Sequence, residues 1–256
     1  MILEELKLKR KLNKLSKDLS IKVYKKIDST NTRAKIFAEN KIGTNAVFIA
    51  NEQTAGRGRL GRSFNSEGGV GIYMSILTKS EGEAFDATKT TVRASVAVCR
   101  AIEAISPLKP KIKWVNDVVY GTQKISGILT EGILNERGLV ERTVCGIGIN
   151  VLDRVFPEDI VNIATTIERE SGVKLSRSLL TAKVLEEFIQ KRPWDEVIEE
   201  YRKKSAVLGR KVTVCKMSGE SYSAEVTSID DLGRLIVRFE DGNTEILYTG
   251  EVSIRP

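Results

Sequence analysis

Residues 111–114, 118–120, 124–134 and 142–151 are four β-type runs separated by only three, three and seven residues. A parallel strand pair needs a crossover of a dozen or more residues, whereas an antiparallel pair closes through a hairpin. Connections this short exclude a doubly wound parallel fold for the middle of the chain. They predict an α+β protein with a mixed or antiparallel sheet and helices on one face. Upstream, a strand is expected over 21–27. The capping-type cluster Asp28-Ser29-Thr30-Asn31 then opens a helix to about Asn40. Further strands are expected over 46–51 and 71–78, flanking a polar loop rich in Gly and Arg at 53–69. In the second of these strands Ile72, Met74 and Ile76 alternate with Tyr73, Ser75 and Leu77. Residues 87–105 form a long, largely apolar helical pattern, and 160–171, 178–191 and 194–204 read as three more helices, with Pro193 breaking between the last two.

After Gly209 the character changes. Short β-rich runs at 211–215, 222–229, 235–239, 244–248 and 252–254 are punctuated by Ser218-Gly219, Asp231-Leu232-Gly233, Asp241-Gly242-Asn243 and Gly250. Five strands in so short a span predict a small β-barrel. The expected organisation is a basic amphipathic helix over 1–20, a main domain over 21–207 and the barrel over 208–256.

The chain of 256 residues carries a formal charge of +7, but the total misleads. Residues 1–26 hold nine Lys and Arg against three acids, a net +6, with Leu3, Leu6, Leu12, Leu15 and Leu19 forming an apolar stripe. The barrel has six basic and eight acidic residues, which argues against a role in binding nucleic acid. There is no histidine, so imidazole-based nucleophile relays and histidine-ligated zinc are excluded. Acid–base work falls to carboxylates, lysine or tyrosine. Cys99, Cys145 and Cys215 are odd in number and widely spaced, indicating neither a disulfide framework nor a thiolate metal site. With no signal-peptide pattern and no apolar run long enough to span a bilayer, a cytoplasmic location is expected, without membrane association.

Gly56-Arg57-Gly58-Arg59-Leu60-Gly61-Arg62 matches G-x-G-x-x-G, but no helix opens at the glycines and no acid follows in a βαβ unit, so a dinucleotide site is not supported. Walker A and kinase signatures are missing too. What remains is a flexible loop of three arginines and glycines suited to a phosphate or carboxylate. A second cluster, Lys113-Trp114-Val115-Asn116-Asp117, precedes Lys124-Ile125-Ser126-Gly127-Ile128-Leu129. Asp117 reads either as a turn residue or as an anionic partner in a pocket. Lys124 reads either as an edge lysine or as a cation facing that pocket. The glycines of Gly146-Ile147-Gly148-Ile149-Asn150-Val151 serve either close strand packing or a ligand.

Taken in order, Ser29-Thr30-Asn31, the segment from Gln53 through Gly56 to Arg59 with Gly61-Arg62, the Lys113–Asp117 cluster, Lys124 with Gly127, and the Gly146–Val151 segment resemble the motif set of the biotin protein ligases. The resemblance covers nearly all of residues 21–256. It implies a class II synthetase-like catalytic domain with an SH3-like C-terminal barrel. The implied reaction joins biotin and ATP into biotinyl-5'-AMP, then passes biotin to a lysine of a biotin carboxyl carrier protein. Two departures are Leu60, where another arginine is common, and Val115, where proline is usual. The 20 residues before the first strand are too few for the DNA-binding head of bifunctional repressor-ligases, so a monofunctional enzyme that does not bind DNA is expected, with homodimerisation plausible.

By the same resemblance, Lys124, Asp117 and Arg59 carry catalysis. Ser29, Thr30, Asn31, Gln53, Gly56, Arg57, Gly58, Arg59, Lys124 and Gly127 bind biotin. Arg59, Arg62, Phe64, Lys113, Trp114, Asn116 and Asn150 serve ATP or the adenylate, with Phe64 covering the adenine. Asp117 would orient the acceptor lysine and help take its proton. Mg²⁺ is expected with ATP, its ligands unknown. The alternatives are a lipoate-type or other acyl-adenylate ligase, and a non-enzymatic nucleic-acid-binding protein.

Overall fold

The computed structural model describes residues 19–40, 45–79, 87–190, 192–216, 219–248 and 251–253. The expected N-terminal helix lies outside them except at its end, where Ser20 already opens a strand. Seven strands form the main sheet: β1 (Ser20–Tyr24), β2 (Ala46–Ala50), β3 (Gly71–Lys79), β4 (Lys111–Lys113), β5 (Asp117–Tyr120), β6 (Gln123–Leu134) and β7 (Val140–Asn150). Their order is β1-β2-β3-β7-β6-β5-β4. Only β1 and β2 pair in parallel, and they are the pair joined by a helix, α1 (Thr30–Asn40). The other pairs are antiparallel, as the short connections require.

The alternation read in the sequence sorts the two faces. Ile72, Met74 and Ile76 of β3 join Cys145, Ile147 and Ile149 of β7 in the main core. That core is covered by α2 (Ala87–Ile105), α4 (Arg177–Ile189) and α5 (Trp194–Lys203). The opposite face holds a smaller cluster in which Ala34 and Ala38 of α1 meet Ala46, Phe48, Leu77 and Val144. The expected helical layer is thus formed by α2, α4 and α5, while α1 lies alone across the sheet. Its short residues let the helix approach closely, and its N-terminus opens onto the half of the face that it leaves uncovered.

The helix expected over 160–171 is shortened to α3 (Ile167–Ser171), capped by the Thr166 hydroxyl, which accepts from the Arg169 amide. The preceding residues are used otherwise. Lys124 N–H donates to Ile163 O at 2.8 Å, and Thr165 N–H donates to Lys124 O at 3.0 Å, so 163–165 clasp the start of β6 as an extra strand-like segment.

A second sheet of β8 (Lys211–Cys215), β9 (Ser221–Ile229), β10 (Leu235–Arg238), β11 (Thr244–Leu247) and β12 (Glu251–Ser253) has the order β11-β10-β9-β8-β12. Every pair in it is antiparallel. Its turn between β9 and β10 is gripped by the main domain. Trp114 Nε1 donates to Gly233 O at 3.0 Å, Trp194 Nε1 to Asp231 O at 2.7 Å and Arg202 Nε to Ile229 O at 2.7 Å. Trp114, expected at the nucleotide, is instead only 3% exposed and joins the two units. An indole with one polar atom satisfies itself best in such a buried seam. The peptide that follows it, Trp114–Val115, is cis. Trp114→Phe would leave the Gly233 carbonyl unpaired, and is expected to cost roughly 1–3 kcal/mol of stability, measured by denaturant unfolding. A loss indistinguishable from zero would contradict this bracing role.

Candidate active site

The floor of the site is backbone. On the uncovered face, Gly127 of β6 sits opposite Gly148 of β7, and Leu129 opposite Gly146. Residues directly opposite share a face, so three glycines remove side chains from one patch. Their neighbours fill the space. A Cβ on Gly148 would lie 2.5 Å from the Phe64 ring, and one on Gly146 would overlap Asn31 Oδ1. The glycines therefore admit side chains onto the strands, and close strand packing is not their only use.

Lys124 reaches this face through an irregularity. In a regular strand, residues 124 and 127 would point to opposite sides. Between Val118 and Val119 the β5–β6 register shifts, so that Ser126 faces Val118 while Lys124 faces Val119, leaving Ile125 as the extra residue. A bulge of one residue reverses the parity, and bulges commonly re-aim side chains beside active sites. Lys124 Nζ lies 2.8 Å from where a Gly127 Cβ would stand and 2.7 Å from Asp117 Oδ1. Asp117 is itself opposite Gly127. The two residues read separately from the sequence are thus one ion pair, and neither is a mere edge or turn residue.

The other end of the cleft is polar and mostly uncharged. Gln53 Oε1 accepts from Thr30 N–H at 2.8 Å and from Thr30 Oγ1 at 3.0 Å, while its Nε2 donates to Ser66 Oγ at 2.9 Å. Buried Ser75 Oγ lies 2.7 Å from Thr30 Oγ1 and 2.5 Å from Asn31 Oδ1. Asn31 Nδ2 donates to Glu131 Oε2 at 2.8 Å, and Lys35 Nζ pairs with Glu131 Oε1 at 2.7 Å. Burial pushes the Glu131 carboxyl up, but hydrogen bonds from Lys35 and Asn31 and the charges of Lys35 and Arg57 outweigh it, leaving the pKa below the ordinary value.

The arginine loop crosses above. Its backbone is pinned by Gly58 N–H to Arg62 O at 2.7 Å and Phe64 N–H to Gly56 O at 3.0 Å. Arg57 Nη2 lies 3.3 Å from Glu131, and Arg59 Nη1 donates to Asn116 Oδ1 at 2.8 Å. Asn116 in turn brackets Ile128, donating from Nδ2 to its carbonyl at 3.0 Å and accepting from its amide at 3.0 Å. Leu60 adopts a left-handed conformation, φ 54°, and is exposed. Beyond the loop, Arg154 Nη1 donates to Asn65 Oδ1, and Arg154 Nη2 to Asn150 Oδ1 at 3.1 Å.

Of the residues singled out in the sequence, Ser29, Thr30, Asn31, Gln53, Arg57, Gly58, Arg59, Phe64, Asn116, Lys124 and Gly127 line one cleft of about 450 Å³ that opens to solvent. Gly56, Arg62, Lys113, Trp114, Asp117 and Asn150 are not in its lining. Asp117 acts on it through Lys124, and Asn150 Nδ2 approaches the Lys124 carbonyl at 3.4 Å. Gly56 supports Phe64 from behind, Arg62 lies exposed at the end of the loop, and Lys113 pairs in register with Asp117. Phe64 lies on the glycine floor, edge-on to Tyr73 at 6.3 Å, rather than apart from it.

Sequence reasoning missed Ser75, Glu131 and Arg154. Ser75 was detectable as the polar member of an alternating strand, and Glu131 as the single acid of β6. Nothing marks Arg154. Among the described residues no three Cys, Asp or Glu converge to hold an ion.

Two outcomes test this geometry. Gly146→Ala must displace Asn31 from Ser75, Glu131 and the Leu129 carbonyl, and is expected to lower stability by about 1–3 kcal/mol in thermal or denaturant unfolding. Because its folded pKa is lowered, Glu131 contributes stability that is present above the unfolded carboxyl value of about 4.5 and lost as pH falls through the folded one. The stability difference between wild type and Glu131→Gln should therefore be flat from neutral pH to about 5 and shrink at lower pH. A difference that grows on acidification would contradict the assignment.

Comparison with known proteins places this geometry. Residues 23–150 match the Biotin/lipoate A/B protein ligase family, and residues 207–255 match the Biotin protein ligase C terminal domain. The chain is 31% identical to the bifunctional ligase/repressor BirA of Bacillus spizizenii, across 89% of this chain and 72% of that protein. It is 28% identical to the biotin--[acetyl-CoA-carboxylase] ligase of Mycobacterium tuberculosis, across 87% of this chain and 85% of that one. Among solved structures, the biotin protein ligase of Aquifex aeolicus in complex with biotin and ATP superposes with a TM-score of 0.78 at 29% identity, covering 92% of this chain and 98% of that one. The site, the fold that builds it and these likenesses agree: the chain belongs to the biotin/lipoate A/B protein ligase family.

Proposed function

We propose that this chain is a biotin protein ligase. It activates biotin with ATP to biotinyl-5'-AMP, releasing pyrophosphate, and then transfers the biotinyl group to a lysine of a biotin carboxyl carrier domain. The observation that carries the reading is the polarity of the cleft. Two cations, Arg59 and Lys124, are held by the adjacent residues Asn116 and Asp117 in one region, and a hydrogen-bonding group of Ser29, Thr30, Asn31 and Gln53, with Arg57 paired to Glu131 beside Asn31, forms the other. A carboxylate must approach an α-phosphate, and two unit charges at 4 Å repel by about 4 kcal/mol at an effective dielectric near 20. Fixed cations offset that repulsion. Lys124 is held by Asp117 at 2.7 Å and by backbone bonds to 163–165, so its ammonium stands where the carboxylate and phosphate would meet. Arg59, held by Asn116 at 2.8 Å, supplies the second cation.

In the adenylation step a biotin carboxylate oxygen bonds to the α-phosphorus as the bond to the β-phosphate oxygen breaks. In the transfer step a neutral lysine amine attacks the acyl carbon, AMP leaves, and the amine sheds a proton. Asp117 is the carboxylate nearest Lys124 and is the group assigned to orient that amine. The urea of biotin, with its donors and acceptor, suits the polar end of the cleft, whereas a dithiolane ring presents no such groups. A thermal-shift comparison of biotin with lipoate separates the two substrate classes, and biotin should give the larger shift.

The ion pair changes what Asp117 is expected to do. Its loss releases Lys124, so both steps should suffer. Lys124→Ala is expected to lower biotin-dependent ATP–pyrophosphate exchange and acceptor labelling by about 100-fold or more. Asp117→Ala should lower exchange by about tenfold and labelling further. Exchange unchanged in Asp117→Ala would contradict its hold on Lys124.

A further inference from the structure

Glu131 is assigned no part in either chemical step and stands outside the lining of the cleft, yet it bonds residues that do line it. It projects from β6 on the same face as Gly127 and Leu129, being four and two residues beyond them. Its side chain is 17% exposed, and three donors converge on it from two separate elements. Asn31 Nδ2 at 2.8 Å and Lys35 Nζ at 2.7 Å come from α1, and Arg57 Nη2 at 3.3 Å comes from the arginine loop. We infer that Glu131 is a positioning residue for biotin, fixing the amide orientation of Asn31 on the wall of the cleft and holding the arginine loop closed over it through Arg57.

The orientation of Asn31 follows from its partners. A carboxylate can only accept, so the NH₂ of Asn31 must face Glu131, while the Ser75 hydroxyl at 2.5 Å donates to the Asn31 oxygen. Remove the carboxylate and the amide loses the charged acceptor that sets this orientation. The loop contact is of a different kind. Arg57 is about half exposed, and the loop between Gln53 and Gly69 contains no regular element except the single turn Arg59–Gly61. An ion pair from a central strand therefore adds, at Arg57, a tie to a segment otherwise held by Phe64 on the glycine floor and by the Arg59–Asn116 and Gln53–Ser66 bonds. Lys35 shares the carboxylate but lies on the same helix as Asn31, so it neutralises Glu131 without linking to the loop.

This role deepens the ligase reading and rests on it for the substrate, while the loop contact can be read without any substrate. Two measurements on the full chain test it. In biotin-dependent ATP–pyrophosphate exchange, Glu131→Gln is expected to raise the KM for biotin about tenfold, with kcat and the KM for ATP within threefold of wild type. Glu131→Gln combined with Arg57→Gln should raise that KM by less than the product of the two single effects, because both break the Arg57–Glu131 contact while only Glu131→Gln also frees Asn31. An unchanged KM for biotin, or an equal fall in kcat with both KM values as in a general loss of structure, would overturn the proposal.

The second measurement is limited trypsin digestion without ligand, since Arg57, Arg59 and Arg62 are themselves cleavage sites. Cleavage in the 57–62 segment should be about fivefold faster in Glu131→Gln, and within twofold of wild type in Lys35→Met. Equal rates in Glu131→Gln and wild type would overturn the loop contact even if the chain proved to have no biotin-dependent exchange. Absence of that exchange in wild type would instead overturn the ligase reading.

Discussion

The ammonium of Lys124, held 2.7 Å from Asp117 above a floor of glycines, is the contact on which the site depends. It exists because β6 carries one extra residue opposite β5, turning Lys124 onto the same face as Gly127. It stays there because residues 163–165 leave a helical course and bond to its backbone. A lysine on a long stem would otherwise lose considerable conformational entropy on ordering. Here the backbone is clamped on one side and the head group on the other, so little freedom remains to be lost when a doubly anionic ligand pair arrives.

The same economy recurs around the cleft. Polar side chains are satisfied by one another before any ligand enters: Gln53 by Thr30 and Ser66, Asn31 by Ser75 and Glu131, Arg59 by Asn116. Such a network is ordered in advance, and a buried polar group left alone would be costly. It also divides the cleft into a cationic region for the anionic groups and a hydrogen-bonding region for a neutral polar head. The C-terminal sheet contributes rigidity from behind. Trp114, two residues before Asn116, is tied to Gly233, so the segment carrying Asn116 and Asp117 is held from both domains.

Much of this was legible in the sequence. Short connections between β-runs gave the antiparallel sheet, the alternation in β3 separated its faces, and the ordered motifs named eleven of the residues that line the cleft. What was not legible depended on three-dimensional pairing. The bulge beside Lys124 has no signature, because Ile125 is an ordinary strand residue. Residues 160–166 have helical periodicity, but bonding to β6 outweighs that local preference. Trp114 sits in a motif and looked like a ligand-facing aromatic until its partner, 119 residues away, was placed. Glu131 was overlooked because a single acid in a strand is usually a solvated one, and only its three donors distinguish it.

The central claim is that this cleft joins a biotin carboxylate to the α-phosphate of ATP. Mass spectrometry of the purified protein after incubation with biotin and ATP, in the absence of any acceptor domain, reads that claim directly. Retention of biotinyl-5'-AMP by the enzyme with stoichiometric pyrophosphate in solution is the predicted result. Release of ADP and phosphate, or formation of an adenylate from lipoate and none from biotin, would contradict it.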